Sequence, residues 1–562
     1  MGNAAIYFHP EGYDTTGARL MGRHAAGESF LRGFLRHADI DRLHLFNAST
    51  RSPASLQPLI DRIEPNGRPV TWLDRTARHR VIDPGCLYLP QPTLAPEAWL
   101  RRPFGRTRYS ICGVTHTTAT QRTTDLLADM MVAPVESWDA LICTSEAVRS
   151  GVQVLLERTR EDLRARLGAT RFPTPELATI PLGVNASDFA PSAEQRAAWR
   201  ERLDIPQDAI VALYLGRFHA AGKMNPATMA LALEAAYQAT GKPIHWIVAG
   251  WSANDEITAV FHRQTQAFCP SIHYRPVDGR PPDTRFSLWS AADFFVSFSD
   301  NVQETFGLTP VEAMAAGLPS VVTDWDGYRD TVRHGIDGFR IPTMAPRPGL
   351  GRDLAYHFAN DWVPYEAYLA AGAQMTGVDH AAAVEAISAL LINADLRRSM
   401  GEAAARQARD HFDWSAIIPR YQALWSELAA RRKAVEPEAP DAAAIVDNPR
   451  RLDPFLMFAT YPTGPLGGDT LLRAAPGMTW TLARSRLTTD LGALGGWALP
   501  TLAEAETVLA YLADRPEARV AEIIEALAPG RRGFVERGLL WLVKFRVIEL
   551  VAPPMVVNTP PA

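Results

Sequence analysis

SFSDNVQETFGLTPVEAMAAGLPSVVTDWDGYRDTVRHGIDG, from Ser297 to Gly338, runs through strand, loop, helix and strand in succession. The apolar run Phe294 to Phe298 ends in it and a polar loop follows. A small-residue helix, Val311 to Ala316, stops at Gly317, and a second apolar run covers Ser320 to Thr323. This order is half of a doubly wound sheet, a fold that binds ligands at the carboxyl ends of its strands. The loop carries Glu304, Thr305, Phe306 and Gly307, with Glu312 eight residues after Glu304. A carboxylate, a glycine that admits close backbone approach, and free amides at a helix start suit a phosphorylated sugar. Thr309-Pro310-Val311-Glu312 also fits a capping box, Thr at the N-cap and Glu at N3, so Glu312 has a structural reading beside the binding one.

Upstream, the same alternation begins at Ala209. IVALYLGRF ends a strand at Gly216, with Arg217 and Lys223 on the loop beyond it, and Ile244–Gly250, Ser271–Val277 and Asp293–Ser299 are further strands. Arg217 and Lys223 therefore lie at the same sheet edge as the Gly307 helix start. Two cations and a helix N-terminus there would neutralise a diphosphate without a metal. Taken singly, each base reads first as a solvated surface charge. Lysine occurs only at 223, 242, 433 and 544, so its appearance on this loop is mildly informative. Asp324-Trp325-Asp326 is a common triplet to which no metal is assigned.

Nearer the N-terminus, Ala4–Phe8, Leu43–Phe46, Val70–Leu73, Cys86–Leu89, Tyr109–Thr115, Ala140–Thr144 and Ala178–Pro181 read as strands of another Rossmann-like domain. GRHAAGESFLRGFLRHA reads as a helix whose start, Gly22 and Arg23, would meet an anion or simply form a tight turn. His116 falls just past a strand, a place where a lone histidine is more often structural than functional. Ser145-Glu146 reads as a helix cap. IPLGVNASDFAP is a turn-rich connector. The division is 1–190 and 191–433 for two Rossmann-like domains, 434–450 for a Pro- and Ala-rich linker, and 451–562 for an accessory module. Arg352–Val378 is an aromatic-bearing insertion. Thr501–Val551 reads as three helices and a terminal strand, winged-helix-like, while Phe455–Trp497 stays unassigned. Seven basic against eight acidic residues in Thr501–Val551 give no DNA-binding face.

The 562 residues have a net charge of -5, which offers no reason to expect nucleic acid. No apolar run reaches the roughly 20 residues of a membrane span, and the start lacks the pattern of a secretory signal. Cys86, Cys112, Cys143 and Cys269 are scattered in apolar runs and read as reduced core thiols, so the expected location is cytoplasmic.

Together, ETFGLTPVEAMAAGLPSVVTD, YLGRF with Lys223, IPLGVNASDFAP and ICTSEAV resemble the retaining family 4 glycosyltransferases (glycosyl transferases group 1) of the GT-B fold, over residues 1 to 433. The resemblance implies two Rossmann-like domains facing across a cleft, and the accessory module lies outside it. It implies that Arg217 and Lys223 bind the donor diphosphate and that Glu304 contacts the donor sugar. Phe306, Gly307 and Leu308 would offer backbone amides and Glu312 would hold the ribose. His116 would lie near the sugar from the opposite domain, and Gly22 would line the cleft. Glu304 and His116 are the catalytic assignments. This sequence departs from the family pattern at Trp325-Asp326-Gly327 (usually Gly-Gly), at Lys223-Met224 (usually Lys-Gly) and at the GRHAAG loop.

The expectation is a metal-independent retaining transferase without cofactor, using a nucleotide-diphosphate sugar and a carbohydrate, lipid or protein acceptor. Peripheral membrane contact and self-association through the C-terminal module stay open. Two other readings remain: an epimerase or sugar phosphorylase of the same fold, and a non-catalytic nucleotide-sugar-binding scaffold.

Overall fold

A computed structural model describes residues 2–15, 22–65, 67–252, 254–435, 448–526 and 529–551. The chain forms two compact units, Met1–Val446 and Asp447–Ala562. Most of the expected linker lies outside the described residues.

The first unit holds two parallel sheets. Strands β1 (Ala5–Phe8), β2 (Leu43–Asn47), β3 (Val70–Asp74), β4 (Cys86–Leu89), β5 (Ser110–Val114), β6 (Ala140–Cys143) and β7 (Glu176–Thr179) pair in the order β3-β2-β1-β4-β5-β6-β7. Strands β8 (Ile210–Arg217), β9 (Ile244–Trp251), β10 (His273–Asp278), β11 (Phe294–Ser297), β12 (Ser320–Thr323) and β13 (Gly338–Ile341) pair in the order β10-β9-β8-β11-β12-β13. Parallel strands are covered on both faces, hence their unbroken apolar runs; Ala212, Leu213, Phe294, Phe295 and Val296 are fully buried. Strand order reverses between β1 and β4 in one sheet and between β8 and β11 in the other. Crevices at such switch points are where doubly wound sheets take ligands. The arrangement is that of a GT-B fold, two Rossmann-like domains across a cleft.

Two details differ from the sequence reading. The helix Leu308–Ala315 starts at Gly307, its N-cap, without a side-chain cap. Thr309 lies inside that helix, and this removes the capping box assigned to Glu312. The reason is steric: Gly307 has φ of 86°, and a Cβ on it would meet the Tyr328 ring at 2.1 Å, so backbone and neighbour both demand glycine. The second difference is the helix Trp414–Lys433, grouped with the second domain by the division at residue 190. It packs on the first domain: Trp414, Ile417, Tyr421 and Trp425 share a core with Phe30, Phe34 and Tyr88. Gly33 and Gly183 leave room for the Trp414 ring, which a Cβ would meet at 2.3 and 2.5 Å.

The Arg352–Val378 insertion follows β14 (Thr343–Met344), which pairs antiparallel with β15 (Gly377–Val378). Between these lie the helices Arg352–Ala359 and Tyr365–Gln374. In the second unit a sheet of β16 (Leu471–Ala474), β17 (Ala518–Arg519) and β18 (Ile548–Leu550) has β16 at its centre. Helices Leu502–Ala513, Val520–Glu525 and Arg532–Lys544 pack with it around Leu472, Leu509, Leu539 and Leu542. The unassigned Phe455–Trp497 stretch supplies that central strand and the helix Trp480–Leu487. No helix among the described residues is long and apolar enough to cross a membrane.

Candidate functional site

A cavity of about 420 Å3 opens at the carboxyl ends of β8 and β11, the switch point of the second sheet. Arg217, Lys223, Glu304, Phe306, Gly307, Leu308 and Glu312 line it from the second domain, and His116 lines it from the loop after β5. The structure thus gathers these sequence-selected residues at one cavity; Gly22 opens the helix Gly22–His37 a turn before the lining residues Ala25 and Ala26, and its own surroundings lie outside what is described. A wider cavity of about 590 Å3 lies beside Arg196 and Glu402, at the amino ends of β11 and β12 and so on the wrong edge for a ligand of this fold.

Lys223 and Glu304 pair with each other, Nζ to Oε2, at 3.0 Å. Burial pushes the Glu304 carboxyl up; the Lys223 ammonium and the amides of Thr305 and Phe306 outweigh it and hold the group below its ordinary value. The Phe306 amide is therefore engaged by the carboxylate, while its ring is buried in the core. The Lys223 loop is fixed from β11: Ser299 Oγ and Asn301 Nδ2 donate to its carbonyl at 3.4 and 2.5 Å. Asp300 accepts from the Asn225 amide at 3.2 Å, and burial pushes its carboxyl to about 7. Arg217 makes no ion pair among the described residues, so its charge faces the cavity beside the uncapped amides of the Gly307 helix start. Burial raises the Glu312 carboxyl, partly countered by Arg285, a lining base that no motif marked.

The first domain closes over this edge with hydrogen bonds. Thr144 Oγ1 donates to the Thr305 carbonyl at 3.1 Å, and Thr305 Oγ1 to the His116 carbonyl at 3.4 Å. Ser145 caps the helix Glu146–Leu167, as expected, and also donates to Asp326 Oδ1 at 3.1 Å. The Glu146 amide reaches Asp330 Oδ2 at 2.6 Å. The insertion spans the mouth: Gln121 Nε2 donates to the Phe358 carbonyl at 2.8 Å, His219 faces Glu366 at 3.3 Å, and Tyr365 lines the cavity. Sequence reasoning noticed the insertion's aromatic residues but not this placement. Asp324 faces Arg340 at 3.3 Å, and among the described residues no cluster of three His, Cys, Asp or Glu is placed to hold a metal ion.

Residues 195–347 match the family model described as Glycosyl transferases group 1. That stretch is similar to a group 1 glycosyl transferase domain. The chain is 25% identical over 322 residues to a D-inositol 3-phosphate glycosyltransferase of Geodermatophilus obscurus, covering 53% of this chain and 58% of that protein. It is 29% identical over 199 residues to a phosphatidyl-myo-inositol mannosyltransferase of Mycobacterium tuberculosis, covering 34% and 47%. The chain thus spans about half the length of these two relatives. A solved structure of Anabaena HepE in complex with UDP and glucose aligns with a TM-score of 0.47 at 15% identity, over 75% of this chain and all of that one.

Proposed function

We propose that this chain works as a metal-independent, retaining glycosyltransferase, moving a sugar from a nucleotide-diphosphate sugar to an acceptor hydroxyl. The observation that carries the reading is the Lys223–Glu304 pair beside Arg217 and the Gly307 helix start, all at one switch point. Breaking the bond between the anomeric carbon and the diphosphate oxygen leaves charge on the phosphate. Arg217, Lys223 and the helix amides are positioned to stabilise that charge, usually the largest single contribution in such sites. Glu304 would meet the sugar, and Glu312 the ribose. The acceptor oxygen bonds to the anomeric carbon on the face the phosphate leaves, and its proton passes to a phosphate oxygen. Closure of the crevice keeps water from hydrolysing the donor. The four thiols are free and buried, which suits the cytoplasmic setting included in this reading.

The test is a screen of nucleotide sugars by thermal unfolding, since a ligand that binds the native state raises apparent stability. One donor should raise Tm and then label an acceptor, with activity unchanged by a chelator. Full activity in Glu304→Ala, or activity lost to the chelator and restored by Mg2+, would overturn the reading.

A further inference from the structure

Asp326 lies in the Trp325-Asp326-Gly327 turn, one of the places where this sequence departs from the family pattern it resembles. It is a non-glycine residue at positive φ, 42°, and nothing in the transfer chemistry above uses it. A side chain in that backbone region is strained and persists only where its surroundings hold it there. Its surroundings are an interdomain contact. The carboxyl accepts from Ser145 Oγ at 3.1 Å, Ser145 being the cap of the helix that follows β6. Beside it the Glu146 amide donates to Asp330, and Thr144 donates to the Thr305 carbonyl next to Glu304. The corner after β6 is thus pinned to both the Glu304 loop and the Asp326 turn.

We propose that Asp326 is a positioning residue whose neutral carboxyl ties the Ser145 corner of the first domain to the back of the Glu304 loop, and whose ionisation loosens the crevice. The charges around it agree in sign. Glu304 and Asp330 face it from the second domain, both repelling a carboxylate. Three cations on that side are engaged elsewhere: Lys223 pairs with Glu304, and Arg329 and Arg340 face Asp324 at 3.8 and 3.3 Å. Across the interface the first turn of the Glu146 helix carries Glu146 and Arg149, paired with each other. Burial first, and Glu304 second, push the Asp326 carboxyl to about 7, with Ser145 and the Gly327 amide acting in the other direction. Once the domains separate and water reaches the group, it returns towards the ordinary 3.8. Closure therefore takes up one proton. The closed form is favoured below the raised value and is lost as pH climbs through it.

This inference deepens the proposed transfer reaction, but its test needs no donor, so either can fail alone. Hydrogen–deuterium exchange of the full chain would follow peptides covering residues 144–150 and 324–332, with the interior of β12 as reference. Each is read at about pD 6 and about pD 8.5 after correction for intrinsic rates, and protection should fall by roughly tenfold per unit above the raised value. Asp326→Asn, neutral at both values and still able to accept from Ser145, should keep its protection throughout. Ser145→Ala should lose protection at both values and serves if the Asn variant does not fold. Equal protection of the wild type at the two values would overturn the proposal, as would loosening of Asp326→Asn at the acidic value or an unaffected Ser145→Ala protein.

Discussion

The two sheets of the first unit are alike at their amino ends and unlike at their carboxyl ends. Ahead of β6, Asp139 accepts the Ile111 amide of the neighbouring strand at 2.8 Å and holds Arg101 through both oxygens, at 2.6 and 2.8 Å. Ahead of β11, Asp293 accepts the Val211 amide at 2.7 Å and holds Arg200 at 2.9 Å and Arg196 at 2.7 Å. One device, an aspartate tying a strand start to a neighbour and to a buried arginine, serves both domains. At the carboxyl ends the likeness stops. The second sheet contributes Arg217, Lys223, Glu304 and Glu312 to the cavity; the first contributes His116, Thr117, Thr120 and small apolar groups. The amino ends stabilise the fold, and the charge needed for chemistry is concentrated at one carboxyl edge.

Removing the amino-end device should separate stability from activity, with the largest effect in the first sheet. The side chains of Arg101 and Asp139 are 1% and 0% exposed, so Asp139→Ala leaves a buried guanidinium without its counter-charge, held by the carbonyls of Tyr109 and Pro134 alone, at a cost of about 3–5 kcal/mol. In Asp293→Ala, Arg200 keeps the carbonyls of Ala291, Pro206, Gln207 and Ala209. The loss there should be nearer 1–3 kcal/mol. Denaturant unfolding of the two variants would read the difference, and equal losses would break the comparison. Lys223→Ala, at the carboxyl edge, should act the other way round. Turnover should fall about 10²–10³-fold while the fold survives. Without the ammonium, only the amides of Thr305 and Phe306 counter the burial of Glu304 and its carboxyl rises, so what activity remains should move to higher pH.

That division of labour explains which parts of the molecule were legible in the sequence. Strands buried on both faces leave continuous apolar runs, so the strand–helix alternation and both sheets could be read directly. The cavity residues of the second domain were legible because loop, glycine and helix start are contiguous from Glu304 to Glu312. The Lys223–Glu304 bond joins residues 81 positions apart and exists only because β8 lies beside β11, an adjacency no local pattern states. Trp414 could not be assigned to the first domain, since the groove left by Gly33 and Gly183 forms only on folding. In the second unit, β16 is four residues long, too short to show an alternation. The helix start at Gly307 was misplaced because Thr-Pro is a strong local cap, overridden here by the Tyr328 ring. Gly307→Ala should therefore cost about 1–3 kcal/mol through its φ alone, with the ring clash in addition. A thermal melt showing no loss would mean the loop can move away from Tyr328.

The smallest expected effect tests the uncharged side of the comparison. Tyr365 reaches the cavity from the insertion, and its hydroxyl lies near Thr117 of the first domain without a hydrogen-bond partner among the described residues. Burial raises that phenol above its ordinary 10, so it stays protonated across the working range and is no candidate base. What Tyr365→Phe removes is one neutral hydroxyl free to bond a ligand in the cavity, a single hydrogen bond of about 0.5–1.5 kcal/mol, or roughly two- to twelvefold in kcat/KM. Because nothing ionises, the ratio of wild-type to variant rates should be flat with pH, and the loss should fall on the acceptor's KM rather than the donor's. A pH-dependent ratio, or a loss as large as that of Lys223→Ala, would place a reacting group on the first domain's edge, and charge would no longer separate the two carboxyl ends.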